Sequence, residues 1–352
     1  MVVDEKKLNE FIEKAVNEWG ASMGALLNFV GDRLGLFKAM TGAGALTPEE
    51  LAKKTGAHPR MIREWLAQAA GGFVTYNPAS GTYTLPEEQA LALTNENSPV
   101  YIAGFYQVLA GLFKDQDKII NAFRTGKGLG WGDHHHYLFE GTERSFKPFY
   151  VANITTNWIP ALEGVEDKLR RGGAKVADVG CGHGASTILM AKAYPNSKII
   201  GFDYHRPSIE WARKQAEKEG LKNITFEIAG STDYPGDDYD FVTFFDCFHD
   251  MGNPLTAAKH VLQTLNKKED GTWMIVEPFA NDKIEDNLNP VGRLNYSAST
   301  VVCVPASLNE NGPALGAQAG EERIRDIVTS AGFSKFRRAT QTPFNMIFEA
   351  RA

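Results

Sequence analysis

Three short stretches carry residue types that could do chemistry. The first is VADVGCGHGAST, residues 176–187, where an apolar run ends in an acid and glycine then stands at 180, 182 and 184. Glycine removes the side chain where a ligand must touch the backbone. A strand that runs through such a loop into a helix sets it at the carboxyl edge of an open α/β sheet, where ligands bind. The second is Asp203, after the apolar run KIIGF and about 20 residues beyond Gly182, the separation expected of a carboxylate that holds ribose hydroxyls. The third is FFDCFHDMGNP, residues 244–254, which leaves His249 and Asp250 at that same edge. Asp246 ends the preceding strand, placed either to face the cofactor or to form the turn. Histidine suits proton removal near neutral pH. It needs a partner, usually a carboxylate, to fix its tautomer.

These spacings point to a nucleoside-containing cofactor. The loop Gly180-x-Gly182-x-x-Ala185 also passes as a loose dinucleotide fingerprint, so the loop alone does not decide which nucleoside. Asp178, two residues before the first glycine, would repel a pyrophosphate but suits a cationic amino-acid ligand. A nicotinamide-dependent oxidoreductase therefore stands as a rival reading.

The elements that must position these residues follow from periodicity. From about residue 150 the chain alternates strand and helix, the mark of a parallel sheet covered on both faces. Strands are expected at 175–179, 198–202, 223–228, 239–245 and 272–277, with helices near 185–194, 207–219, 254–266 and 320–331. FSKFRRATQT and PFNMIFEARA read as a closing antiparallel pair. Upstream, residues 4–19 read as a helix with one apolar face, and a second apolar segment runs to about Met40. Thr47, Pro48 and Glu50 have the spacing of a capping box, and Gly56 that of a helix stop. His58-Pro59 opens another helix, and FVTY and TYTL flank the turn NPASG as a hairpin. Helix, helix, helix, hairpin is a winged-helix pattern. Residues 96–145, rich in aromatics and glycine, read as helices joined by a loop.

Length and charge bound the rest. The chain of 352 residues is long enough for two or three domains, and its net charge of −6 gives no general reason to expect nucleic acid or an acidic membrane as partner. The helix HPRMIREWLAQAAGG carries few cations and the wing none, so DNA regulation is a minor alternative. Trp65 and the apolar N-terminal helices suggest dimerisation instead. Three cysteines, Cys181, Cys247 and Cys303, are odd in number and widely spaced, which suits reduced thiols in the cytoplasm rather than a disulfide framework or a zinc site. No segment reads as a signal peptide or a membrane span. His134, His135 and His136 tempt a metal reading, but adjacent side chains diverge. A polar wall of the substrate pocket and a solvated loop remain as alternatives.

VADVGCGHG resembles motif I of the class I S-adenosylmethionine-dependent methyltransferases, and the similarity continues through FDYHRPSIEWAR to the terminal hairpin. With the winged helix ahead of it, the chain is similar to the small-molecule O-methyltransferases. The resemblance implies an α/β, Rossmann-like seven-stranded methyltransferase sheet with an antiparallel C-terminal hairpin, plus an N-terminal helical winged-helix domain. The division it implies is 1–95 for winged helix and dimerisation, 96–170 for a helical lid and linker, and 171–352 for cofactor binding and catalysis. It implies S-adenosyl-L-methionine as cofactor, with Asp178, Gly180, Cys181, Gly182 and Gly184 at its methionine end, Asp203 on the ribose and Tyr204 beside the adenine. Gly230 and Ser231 stand where many relatives have Gly-Asp-Ala against the adenine amine. It implies His249 as general base, supported by Glu277 at the end of WMIVEP, with Asp250 beside it. At the position of the family's second supporting acid this chain has Gln318, with Glu321 or Glu322 as alternative replacements or as acids that serve the helix N-terminus. In relatives the segment 293–308 lines the acceptor pocket, making Asn295, Tyr296, Ser299 and Cys303 candidates, and Tyr150, Asn153 and Trp158 lie where relatives close over the cofactor. The expected acceptor is a small apolar or aromatic molecule methylated on a hydroxyl by a cytoplasmic homodimer. Transfer to nitrogen, carbon or sulfur, with His249 only orienting, is the nearest rival.

Overall fold

The computed structural model describes residues 3–352. It holds two compact units, one of residues up to Lys114 with His135–Phe149, the other of Asp115–His134 with Tyr150–Ala352.

In the first unit, helix α1 spans Glu5–Arg33, with Asp4 as N-cap accepting from the Lys7 N–H. The sequence suggests a stop near residue 19, but the helix runs on because its later glycines are packing notches. A Cβ on Gly31 would come within 2.6 Å of the Trp65 ring, and one on Gly24 within 2.9 Å of Gln68. The remaining helices are α2 (Leu36–Met40), α3 (Pro48–Thr55) and α4 (Pro59–Ala69), followed by the antiparallel wing β1 (Thr75–Asn77) and β2 (Thr82–Thr84). The capping box forms as expected: Thr47 Oγ1 accepts the Glu50 N–H, and Glu50 Oε2 accepts the Thr47 N–H at 2.8 Å. Trp65 does not serve an outer surface. It is buried with Phe37 (ring centroids 5.0 Å apart) and donates its indole N–H to Leu27 O at 2.9 Å. The exposed apolar face belongs to α1 itself. Leu8, Ile12, Val16, Trp19, Met23 and Leu26 lie within one stripe at helical spacing.

The second unit is built on seven strands: β3 (Lys175–Val179), β4 (Lys198–Asp203), β5 (Ile224–Ile228), β6 (Phe241–Phe245), β7 (Thr272–Pro278), β8 (Lys335–Gln341) and β9 (Asn345–Arg351). Their order is β5-β4-β3-β6-β7-β9-β8. The first five are parallel, and β9 inserts antiparallel between β7 and β8. The inner parallel strands are mostly apolar because helices cover both faces, and every residue of β6 is buried, whereas the edge strand β5 buries only Phe226. The strand order reverses between β4 and β6, at β3. That switch point opens a crevice beyond the carboxyl ends of the strands. The segment after β7 is helical over Pro290–Ala298 and Val304–Asn309, with a π-helical turn, Ser299–Cys303, between them.

Candidate active site

The glycine loop leaves β3 with Gly180, Gly182 and Gly184 at φ of 73°, 51° and 80°, a region open to glycine and strained for other residues. They do different work. A Cβ on Gly180 would meet Cys247 Sγ at 2.7 Å, and one on Gly184 would meet the Phe226 ring at 2.7 Å. A Cβ on Gly182 would meet nothing within 4 Å. Gly182 therefore borders open space, while its neighbours keep the loop close to the sheet.

Two carboxylates hold this loop. Asp178 is wholly buried and accepts from Ser186 Oγ (2.7 Å) and Thr187 Oγ1 (2.6 Å) at the start of the following helix, and from Thr243 Oγ1 of β6 (2.9 Å). Burial pushes its carboxyl up to about 6 against the pull of these donors. Its oxygens are turned to hydroxyls within the fold, so it shapes the loop from behind. Asp203, at the end of β4, accepts the Gly182 N–H at 2.9 Å and the His205 N–H at 2.8 Å. Burial raises its pKa, and the two backbone donors oppose the rise. Tyr204 beside it has half its surface in solvent. Partial burial, then the carboxylates of Glu310, Asp250, Asp203 and Asp133, push its phenol up.

Other expected contacts are placed differently. The Cys181 thiol packs with Ile209, Ala212 and Phe226, so only its backbone lies along the loop. The Gly230 N–H is taken by Asp233 Oδ1 at 3.0 Å, with Ser231 inside that turn. Sequence reasoning passes over Asp233, whose signal is the Gly-Ser-Thr-Asp spacing of a side-chain-closed turn. Asp246, at φ 50°, accepts from the Tyr150 hydroxyl (3.1 Å) and from Asn345 Nδ2 (2.8 Å). Burial, then Glu277, raises its carboxyl to about 7. Trp158 lies in the core with Phe245.

Beyond β6, His249 Nδ1 lies 2.6 Å from Glu277 Oε2, and Glu277 Oε1 accepts the Phe248 N–H at 3.0 Å. Both side chains are buried. Glu277, and not Asp250, orients the ring. Burial disfavours the charged imidazole, but the Glu277 carboxylate and the neighbouring Cys303 thiol outweigh it and hold His249 well above the ordinary histidine range. The Asp250 carboxyl is raised to about 7, by burial first and with His249 opposing. Cys303 closes the π-helical turn, and of the four candidates in that segment it is the one that bears on His249; Ser299 Oγ instead accepts the Ala317 N–H at 3.0 Å. The Gln318 amide donates to Phe279 O and Ala317 O. His134 pairs with Asp115, while the His135 and His136 rings stack at 4.2 Å. Among the described residues no three His, Cys, Asp or Glu side chains are grouped to hold a metal ion.

Comparison with known proteins gives this geometry a context. Residues 170–328 match the family described as Methyltransferase domain, and residues 21–95 match the Rv2258c-like winged HTH domain. The 2-methyl-6-phytyl-1,4-hydroquinone methyltransferase of Synechocystis sp. is 26% identical over 192 residues, 53% of this chain and 59% of that protein. The chain covers less than two thirds of the length of the curated relatives it matches first. The mitomycin 7-O-methyltransferase MmcR has the same fold, with a TM-score of 0.71 at 16% identity over 99% of this chain and 100% of that one. Human N-acetylserotonin methyltransferase, solved in complex with SAM, gives 0.68 at 18% identity over 100% and 99%. The chain thus carries a methyltransferase domain behind a winged helix-turn-helix domain.

The Asp178 anchor is testable through its donors. Thr187→Val removes one charge-assisted bond and is expected to lower unfolding free energy by about 1–3 kcal/mol where Asp178 is ionised. The loss shrinks below about pH 6, where the carboxyl takes its proton in the fold. Urea denaturation on both sides of that pH measures the difference.

Proposed function

We propose that this chain, with its methyltransferase domain at 170–328, moves a methyl group from S-adenosylmethionine to a hydroxyl oxygen of a small molecule. The observation that carries the reading is the buried His249–Glu277 pair, set beyond β6 and beside the glycine loop of β3. The loop fits the cofactor. Gly182 leaves room for a ligand against the backbone, Asp203 offers carboxylate oxygens for ribose hydroxyls, and Tyr204 offers a ring for the adenine. Gly180, Gly184 and the backbone of Cys181 line the methionine end, and Gly230 and Ser231 the adenine end. The bound cofactor supplies an electrophilic methyl carbon on a positively charged sulfur. A neutral hydroxyl attacks such a carbon poorly, so its proton must leave. Glu277 accepts the Nδ1–H of His249, which leaves Nε2 as the nitrogen that takes the acceptor's proton. The carboxylate then stabilises the imidazolium that forms. Asp250, near neutral pH only partly ionised, tunes the charge beside this ring.

The acceptor is a partly apolar or aromatic molecule, a reading supported by the aromatic-rich segment 96–145. Within it, residues 128–132 act as part of a lid: the Leu129 N–H donates to Pro305 O at 2.9 Å, just past the π-helical turn. The exposed stripe of α1 is the dimerisation face, since a stripe of this length and breadth is unusual on a monomer. Among the described residues no helix is long and apolar enough to cross a membrane. We place the protein in the cytoplasm, where its three unbridged thiols stay reduced.

Catalysis by His249 has a pH signature. The base must be neutral, and its pKa is raised, so kcat/KM should fall as pH drops along a limb lying above the ordinary histidine value of about 6.5. Glu277→Gln should move that limb to lower pH. His249→Gln should lose about 10²–10⁴ in kcat/KM and the limb with it. Near-full turnover of His249→Gln would instead favour transfer to nitrogen, carbon or sulfur. For the dimer, Trp19→Glu with Met23→Glu should halve the mass seen by sedimentation equilibrium without changing the helical circular dichroism.

A further inference from the structure

In the sequence His134 is one of three adjacent histidines, yet its setting differs from that of its neighbours. Its side chain is fully buried, and Nδ1 lies 3.2 Å from Asp115 Oδ2. Asp115 is buried too, and its other oxygen takes Lys118 Nζ at 2.8 Å. An ionised carboxylate only accepts, so Nδ1 carries the proton. Burial outweighs Asp115 and lowers the pKa of His134, so the ring is neutral and Nε2 is a bare lone pair. That nitrogen is buried and has no hydrogen-bond partner. A buried acceptor left unmade costs about 1–3 kcal/mol, and such a group calls for an explanation.

The place of the segment supplies one. His134 follows a glycine-rich loop docked on the edge where the strands end. The loop is fixed through Leu129 to Pro305, two residues beyond the cysteine that adjoins His249. A Cβ on Gly130 would meet Asn309 Nδ2 at 2.8 Å, and one on Gly132 would meet His205 at 3.2 Å, two residues beyond Asp203. Asp133, next in chain to His134, acts on Tyr204 together with Asp203 and Asp250. Gly126 and Gly128 stand at φ of 66° and 73°, and a Cβ on Gly128 would collide with Pro305 O, so glycine there lets the loop backbone lie against residues 305–309.

We propose that His134, oriented by Asp115, is a second polar anchor for the methyl acceptor, its Nε2 accepting a hydrogen bond from an O–H or N–H that is not the one methylated. This deepens, and rests on, the methyltransferase reading above. It narrows the acceptor class to molecules with two hydrogen-bond donors, one facing His249 and one facing His134. His134 is a positioning residue and takes no part in the proton transfer.

The test uses the full chain labelled with ¹⁵N-histidine, with S-adenosylhomocysteine present, and follows the His134 Nε2 resonance as catechol is added. His134→Leu assigns that resonance, and His134→Gln does so if the first variant fails to fold. The expected result is a bare-acceptor position at rest that moves toward the hydrogen-bonded position with catechol. The same ring without O–H groups, 1,2-dimethoxybenzene, should leave it in place. Calorimetry should show catechol affinity about tenfold weaker in the substituted protein, with S-adenosylhomocysteine affinity unchanged. A resonance already at the hydrogen-bonded position at rest, as a buried water would produce, overturns the proposal, and so does one that catechol does not move. Loss of S-adenosylhomocysteine binding in the unsubstituted protein would instead strike the methyltransferase reading, and is read separately in the same calorimeter.

Discussion

The buried carboxylate of Asp178 is the tie on which the rest of the site depends. It lies one residue from the end of β3, and its three hydroxyl donors come from the following helix and from β6. One side chain thus binds the two strands whose ends carry the glycine loop and the His249 loop. A carboxylate without water is stable only when it is this fully hydrogen-bonded. Its pKa of about 6 shows that burial outweighs the three donors, which hold back only part of the rise. The loop it pins can then spare a side chain at Gly182, and the Asp203 carboxylate can reach across to that glycine's N–H.

The half of the site that carries His249 is built on the same plan one strand further along. Near the end of β7 stands Glu277, whose two oxygens divide between the Phe248 N–H and His249 Nδ1. Fixing the backbone and the ring with one carboxylate sets both where the imidazole stands and which nitrogen it presents. His134 and Asp115 repeat that pairing on a separate element, with a neutral ring where His249 favours the charged one. The difference follows from their surroundings. His249 has Glu277 and the Cys303 thiol beside it. At His134, burial outweighs Asp115, and Lys118 draws on the same carboxylate.

Much of this was legible in the sequence. The inner parallel strands announce themselves as mostly apolar runs, while the edge strand β5, ITFEI, mixes polar residues in. The capping box at Thr47–Glu50 and the glycine stop at Gly56 are local chemistry, and local chemistry survives into the fold. Glu277, expected from the resemblance to support His249, lies 2.6 Å from its Nδ1. What sequence misjudged depends on which way a side chain faces. Trp65 has the look of a surface anchor, but glycines in α1 let that helix close over it. Asp178 has the spacing of a ligand contact, but its oxygens turn toward hydroxyls that lie eight, nine and 65 residues away in sequence. The pairing of His134 with Asp115 spans 19 residues and an intervening loop, with no periodicity to reveal it.

The central claim is that the open position at Gly182 and the carboxylate of Asp203 together hold a nucleoside cofactor. Calorimetric titration of S-adenosylhomocysteine into the protein, into Asp203→Ala and into Gly182→Val tests it most directly. The account predicts one site per chain in the parent protein, weakened at least about tenfold by either substitution, since one removes the ribose partner and the other fills the space. Absence of binding to the parent protein, or binding indifferent to both substitutions, would contradict it.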